Sequence, residues 1–291
     1  MISAWHFLIA LAAALGADVP IARRAAGSSA STEQKSESAD ATKVDDARDP
    51  RIEFLMRAAQ KFEVRVGDDR ELSPLKREPL MNWTNPVSGT TSGVLVMYSR
   101  GGRPDLVAQF SYPGSQPVHE FHHGFDGPLV MTRGESEVWK PQSSLTQWGP
   151  LDSREAPART PQLRLVQMRR LAAEFHLEDD FGWTTKTLQP LRLLTSPIYR
   201  YGKPGEEIED GAVFAWTVTT DPEALLLIEC FHDKEGLAWR YALTPMTIYA
   251  LKATRKNAVV WEVPERRVFN DPGHSQFVGN YRLDADDSLP R

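Results

Sequence analysis

Only one cysteine, Cys230, occurs in the 291 residues, which excludes an intrachain disulfide and any metal or cluster site built from several thiolates. A surplus of positive charge is missing as well. The 34 Lys and Arg stand against 39 Asp and Glu, a net charge of −5, so the chain lacks the basic surface of a protein that tracks nucleic-acid phosphates. No Walker loop, GxGxxG fingerprint or GxSxG elbow is present, which removes the common phosphate-cradling, dinucleotide and serine-nucleophile chemistries. What is there is 41% hydrophobic and 25% charged, the composition of a globular body of one large domain or two small ones.

Charge is also missing from residues 2–17, where Trp5, Phe7, Leu8 and Ile9 lead into alanine and leucine and then Ala14, Gly16 and Ala17. An apolar core followed by small residues is the pattern of a secretory signal, shorter than the roughly 20 residues of a membrane-crossing helix. No Lys or Arg precedes the run, and Arg23 and Arg24 follow it, which leaves an uncleaved anchor as the competing reading. From Gly27 the chain is rich in Ser, Ala, Glu, Asp and Lys with no aromatic residue until the body begins, a composition that cannot bury enough apolar surface to order itself. The expectation is a signal peptide or anchor at residues 1–17, a disordered linker at 18–48, and a secreted or periplasmic body. Membrane contact is then limited to the N-terminal segment, if it is uncleaved.

The body reads as one unit used twice. Asp49-Pro50 fits a helix N-cap with proline at the first helical position, and Ile52, Leu55, Ala59 and Phe62 recur at helical spacing. Thr160-Pro161 opens the same way before Leu165, Met168, Leu171, Ala172 and Phe175. Shifting residues 79–112 by 118 positions sets Pro79, Pro86, Gly93 and Pro104 on Pro197, Pro204, Gly211 and Pro222, with Trp83 on Tyr201 and Tyr98 on Trp216. Strands are expected at residues 191–201, 212–219, 224–231, 237–243 and 247–263, with the turn-rich link 232–236 closing a hairpin. Leu225-Leu226-Leu227-Ile228 is apolar on both faces, which marks a central strand covered twice. The predicted class is α+β: two tandem copies of a helix packed on an antiparallel sheet of about five strands, at residues 49–145 and 158–265. Residues 266–291 form an extended tail, pinned by Phe269, Phe277 and Tyr281.

The sharpest chemical pattern is His119-Glu120-Phe121-His122-His123. It resembles the HExxH signature of zinc peptidases of the zincin class, which implies His119 and His123 as zinc ligands and Glu120 as the water-activating base. Conformation decides. Residues four apart are neighbours on a helix, but on a strand they lie about 13 Å apart, too far for one ion. Pro117 on one side and Gly124, Gly127 and Pro128 on the other leave too little room for a helix and favour a strand. A strand puts His119, Phe121 and His123 on one face and Glu120 with His122 on the other, where those two could offer a pair of ligands to an adventitious ion.

The remaining candidates read more plainly. Cys230 ends an apolar strand, where a thiol is packed rather than reactive. Glu206, Glu207, Glu209 and Asp210 could attract calcium but lack the EF-hand spacing. Trp139 and Trp261 read as core anchors, while Trp148 and Trp183 lie outside the expected strands and read as contact surfaces. The run Leu193-Leu194, Pro197-Ile198-Tyr199-Arg200-Tyr201, Asp210-Gly211-Ala212-Val213-Phe214-Ala215 and Thr220-Asp221-Pro222-Glu223-Ala224-Leu225-Leu226-Leu227-Ile228-Glu229 resembles an uncharacterised family of secreted planctomycete proteins. That resemblance implies an extracytoplasmic setting and carries no activity or catalytic residue.

The expected function is therefore a non-enzymatic extracytoplasmic protein that binds a protein partner or an apolar ligand through a concave or shared sheet surface, with no cofactor, no catalytic residue and no nucleic acid. The alternative is a zinc-dependent hydrolase at residues 119–123.

Overall fold

Alternation of apolar and polar side chains dominates the body, and it produces sheets. The computed structural model describes residues 49–289 except 114–115, 124–126, 154, 182–186, 267 and 286. The expected signal or anchor, the linker and Trp183 lie outside the described residues. Of those described, 48% are strand and 10% helical. The chain runs α1 (Pro50–Gln60), β1 (Phe62–Val66), β2 (Glu71–Ser73), β3 (Met81–Asn85), β4 (Thr90–Tyr98) and β5 (Leu106–Pro113). It continues through β6 (Val118–His122), β7 (Leu129–Arg133), β8 (Ser136–Trp139), β9 (Gln147–Pro150), α2 (Pro161–Ala172) and β10 (Phe175–Asp179). Then come β11 (Gln189–Pro190), β12 (Arg192–Leu193), β13 (Tyr199–Tyr201), β14 (Ile208–Val218) and β15 (Asp221–His232). The last four are β16 (Leu237–Pro245), β17 (Leu251–Arg255), β18 (Ala258–Val263) and β19 (Gln276–Asn280).

These strands form four small antiparallel sheets. Two outer sheets have the orders β2-β1-β7-β8 and β11-β10-β17-β18. Two inner sheets have the orders β19-β6-β5-β4-β3 and β12-β14-β15-β16-β9, with β13 also pairing β14. Both helices start where expected: Asp49 caps α1 by accepting from the Arg51 amide at 2.9 Å, and Thr160 caps α2 by accepting from the Leu163 amide at 3.4 Å. The β17–β18 hairpin turns through Lys256 and Asn257, both at positive φ (50° and 65°), the geometry that matches the twist of a tight antiparallel pair.

The α+β expectation is overturned. Helices are a minor component: α1 packs on β4 and β5 and α2 on β14 and β15, and each shares its core with an outer sheet as well. The strands of each half are divided between an outer and an inner sheet, and each inner sheet takes a strand from outside the expected unit. Strand β9 comes from between the two units, and β19 comes from the tail. The expected internal duplication of a helix-on-sheet unit falls with it. Local pattern locates strands, whereas long-range pairing decides which sheet each one joins.

Three cores follow from the alternation. Even-numbered residues of β4 and β5, such as Val94, Val96, Ala108 and Phe110, join α1 and the first outer sheet in one core. Ala212, Phe214, Leu226, Ile228 and Leu243 join α2 and the second outer sheet in another. The opposite faces of the inner sheets meet in a third, built from Leu95, Val107, Val213, Ala215, Leu225, Leu227, Ala242 and Met246. Trp139 and Trp261 are core residues and Cys230 is buried; burial pushes its thiol up to about 12. Phe277 and Tyr281 are buried in the first core, while Phe269 is exposed.

One end of the central seam is closed by charge. Glu229, fully buried on β15, accepts from Arg103 Nε at 2.9 Å, Arg240 Nε at 2.6 Å and the Tyr201 hydroxyl at 2.7 Å. Trp148 is not a free contact surface. Its ring centre lies 4.4 and 5.0 Å from the guanidinium carbons of Arg103 and Arg240. The acidic stretch is likewise engaged, since Asp210 accepts from the buried Arg164 at 2.9 Å and from Arg200 at 2.6 Å, and Glu209 lies 3.3 Å from Arg164. Glu229→Ala strips the counter-charge from a pair of cations held against the seam and is expected to cost about 3–5 kcal/mol of stability, read by urea unfolding. A loss below about 1 kcal/mol, the range of exposed pairs, would show that the network does not hold the inner sheets together.

Candidate functional site

The opposite end of the seam is where charge is left uncompensated. On β15 the side chains of Leu225, Leu227 and Glu229 alternate onto the face that meets the first inner sheet. The pairing with β14 is irregular at Glu223, and Asp221 and Glu223 line a cavity there, Glu223 lying about 20 Å from Glu229 at about 3.3 Å per residue. Here the sheets part around a cavity of about 170 Å³, close to the volume that accommodates one benzene-sized molecule. Glu120, Asp221 and Glu223 supply carboxylates to its wall, and Trp83, Phe181 and Tyr249 supply aromatic rings. Phe181 and Tyr249 meet edge to face with ring centres 5.2 Å apart. The Trp83 ring lies flat on Gly93, where a Cβ would come within 2.3 Å of it, so the bare strand admits the indole.

Polar contacts from both inner sheets frame the carboxylates. Asn85 Nδ2 donates to Asp221 Oδ2 at 2.9 Å, and the Thr220 hydroxyl donates to the Thr84 carbonyl at 2.9 Å. Gln109 Nε2 donates to the carbonyls of Pro222 at 3.3 Å and Met246 at 2.8 Å. Gln276 Nε2 donates to Glu120 Oε1, and Gln276 Oε1 accepts from Arg266 Nε at 3.1 Å. The charge of Glu120 acts on Arg266, whose Nη1 and Nη2 also donate to the carbonyls of Pro264 and Thr247. Among the described residues no ion pair reaches Asp221 or Glu223.

The electrostatic consequence is large. Burial raises the Glu223 carboxyl well above its usual range, and the charges of Asp221, Asp179 and Glu120 add to the rise against a hydrogen bond from Thr247. Burial likewise raises Asp221, opposed by Asn85 and reinforced by Glu120 and Asp179. Behind them, burial pushes Asp179 up to about 6 despite the Phe181 amide, which donates to its Oδ1 at 3.2 Å; its Oδ2 has no partner. Glu229 shows that this fold can neutralise a buried carboxylate with arginine. It does not do so for Asp221 and Glu223.

Residues 119–122 of the HExxH-like stretch lie on β6, a strand, and His123 follows its end, so the helical spacing on which a zincin depends is absent. His119 turns into the first core, stacked with Phe121 at 4.8 Å and Phe277 at 5.6 Å between ring centres. Both of its ring nitrogens lack hydrogen-bond partners, and burial lowers it to about 4, with Arg133 adding to the fall. The His123 ring is occupied by the carbonyls of Ser143 at 3.1 Å and Gly127 at 3.0 Å. Glu120 and His122 do share the other face, with His122 Nε2 3.1 Å from Glu120 Oε1. The angle is poor, and the imidazole remains without a hydrogen-bond partner. Among the described residues no group of three or more His, Cys, Asp or Glu is placed to hold a metal ion.

Of the expected site residues, then, Glu120 and His119 line the cavity and His123 does not. Asp221, Glu223, Gln109, Asp179 and Trp83 were not singled out, although one signal was present. Two acids at i and i+2 head an apolar run, which puts both on one face of a buried strand. No known protein family, curated protein or solved structure matches this chain. Among the described residues no helix is long and apolar enough to cross a membrane.

Two stability tests follow from these charges. In the fold the raised carboxyls keep protons that the unfolded chain releases near pH 4, so stability falls as pH rises through and beyond about 6. His119 acts in the opposite sense, losing stability as pH drops from about 6.5 to about 4, and is silent above that window. The thermal midpoint is expected to fall between about pH 6.5 and about pH 8, and Glu223→Gln is expected to raise it at the upper pH by several degrees, at about 2–4 °C per kcal/mol. A Glu223→Gln midpoint lowered at the upper pH would mean that the carboxylate is paired in solution. His119→Phe removes two unpaired ring nitrogens from an aromatic core and is expected to stabilise the protein more at about pH 5 than at about pH 8. Destabilisation at both would show that the imidazole has a partner.

Proposed function

We propose that this protein is a non-enzymatic binding protein that takes one small ligand into the cavity at the open end of the seam between its inner sheets, and that it works outside the cytoplasm. The observation that carries the reading is the contrast along β15: Glu229 is matched by two arginines, while Asp221 and Glu223 are held in a cavity with no ion pair among the described residues. Uncompensated buried carboxylates cost stability, and natural proteins keep such costs where a site needs them. The aromatic and amide groups of the walls support the same reading, since small-ligand sites combine apolar surface with a few placed polar groups. The N-terminal pattern supports the extracytoplasmic setting.

Ser111 lines the cavity from β5, and a larger side chain there fills it. Ligand-observed NMR against a library of small polar fragments is expected to find binders whose signals vanish with Ser111→Trp, while circular dichroism shows the fold retained. Binders that survive Ser111→Trp, or a library with no binder, would overturn the proposal.

A further inference from the structure

If the cavity is a ligand site, its acceptors narrow the chemistry of the ligand. Asp221 and Glu223 flank Pro222, and the Gln109 carboxamide is locked against the carbonyls of Pro222 and Met246. Two carbonyl acceptors require the amide nitrogen on that side, so Gln109 Oε1 is the arm left over. It belongs to a side chain only 4% exposed and has no partner. Two carboxyls from β15 and one amide oxygen from β5 therefore belong to residues lining one cavity, each able to accept from an N–H donor. Trp83, Phe181 and Tyr249 line the same cavity, and aromatic rings attract an organic cation. The buried Trp83 Nε1, also without a partner, offers a donor to a hydroxyl on the ligand.

The geometry points to a small primary ammonium ion, carried on a short hydroxyl-bearing stem, as the ligand of this cavity, with its three N–H donors shared among Asp221, Glu223 and Gln109 Oε1. A divalent metal fits less well, because calcium takes six to eight oxygens and no group of three or more acidic or histidine ligands is set for a metal among the described residues. Arrival of the cation favours the ionised carboxyls, so binding drives protons from the raised pair to the buffer. The other titratable groups facing the pair are Glu120 from β6 and Asp179 from β10, which raise it, with Arg266 acting on Glu120, and His119, which lines the same cavity and which burial lowers to about 4. None supplies the missing cation.

Calorimetry on the full chain with 2-aminoethanol, its neutral isostere ethylene glycol, choline and calcium chloride tests this inference. The expected result is binding of 2-aminoethanol with proton release, read as a dependence of the heat on the ionisation enthalpy of the buffer. Ethylene glycol and choline are expected to bind at least about tenfold more weakly, and Glu223→Gln and Asp221→Asn each to weaken 2-aminoethanol by about tenfold or more, the loss of one charge-assisted contact. Thermal melts of both variants check that they fold. Equal binding of ethylene glycol, or unchanged affinity in both folded variants, would overturn the ammonium assignment while leaving a ligand cavity in place. Tighter binding of choline would replace the N–H donors with a purely aromatic cage, and tighter binding of calcium would make the site a metal site. Failure of every probe, together with a fragment library that finds no binder lost on Ser111→Trp, would remove the ligand site itself.

Discussion

Glu229 is buried from solvent between two guanidiniums and a tyrosine hydroxyl, and the joining of the two inner sheets depends on that arrangement. A carboxylate in such a place is tolerable only when its charge is matched and its lone pairs are filled. Arg103 reaches it from the β4–β5 hairpin and Arg240 from β16, so the match ties the first inner sheet to the second. The Trp148 ring, in contact with the same two guanidiniums, brings β9 into the joint. From that closed end the apolar pairs Leu225 and Leu227 with Leu95 and Val107 fill the seam, and two further cores lie on the outer faces.

The open end obeys the same physics with the opposite outcome. Asp221 and Glu223 occupy the same strand as Glu229, yet they meet other carboxylates, an amide and aromatic rings instead of arginine. Like charges crowded in a poorly solvated place hold their protons, which is the least costly state open to them without a cation. The asymmetry between the two ends of a single strand therefore separates structural charge from charge kept in reserve. Strand alternation stacks the His119 ring on Phe121 and Phe277 where it borders the cavity that Glu120 lines, while His123 is held by two carbonyls outside it.

Much of this was legible in the chain. Asp49-Pro50 and Thr160-Pro161 announced both helices, the 232–236 link announced the β15–β16 hairpin, and the run from Leu225 to Ile228 announced a strand covered on both faces. The prolines and glycines around residues 119–123 argued against a helix there, and the segment is extended. The α+β class was not legible, because helix signals are local and conspicuous whereas the division of strands among four sheets is not. Nothing near Gln147–Pro150 or Gln276–Asn280 indicates that these segments pair with β16 and β6. Trp148 was misjudged for the same reason, since the cations that contact it come from residues far away in sequence.

Period and punctuation in the amino-acid order determined where strands begin and which faces are apolar. These are short-range properties, set by the two-residue repeat of an extended backbone and by the steric demands of turns. Only the tertiary structure decided that arginines meet one end of β15 and carboxylates the other. Counter-charges come from strands and loops more than 100 residues away for Arg103, and the energy of a buried charge depends on its neighbours in space, which no local pattern encodes.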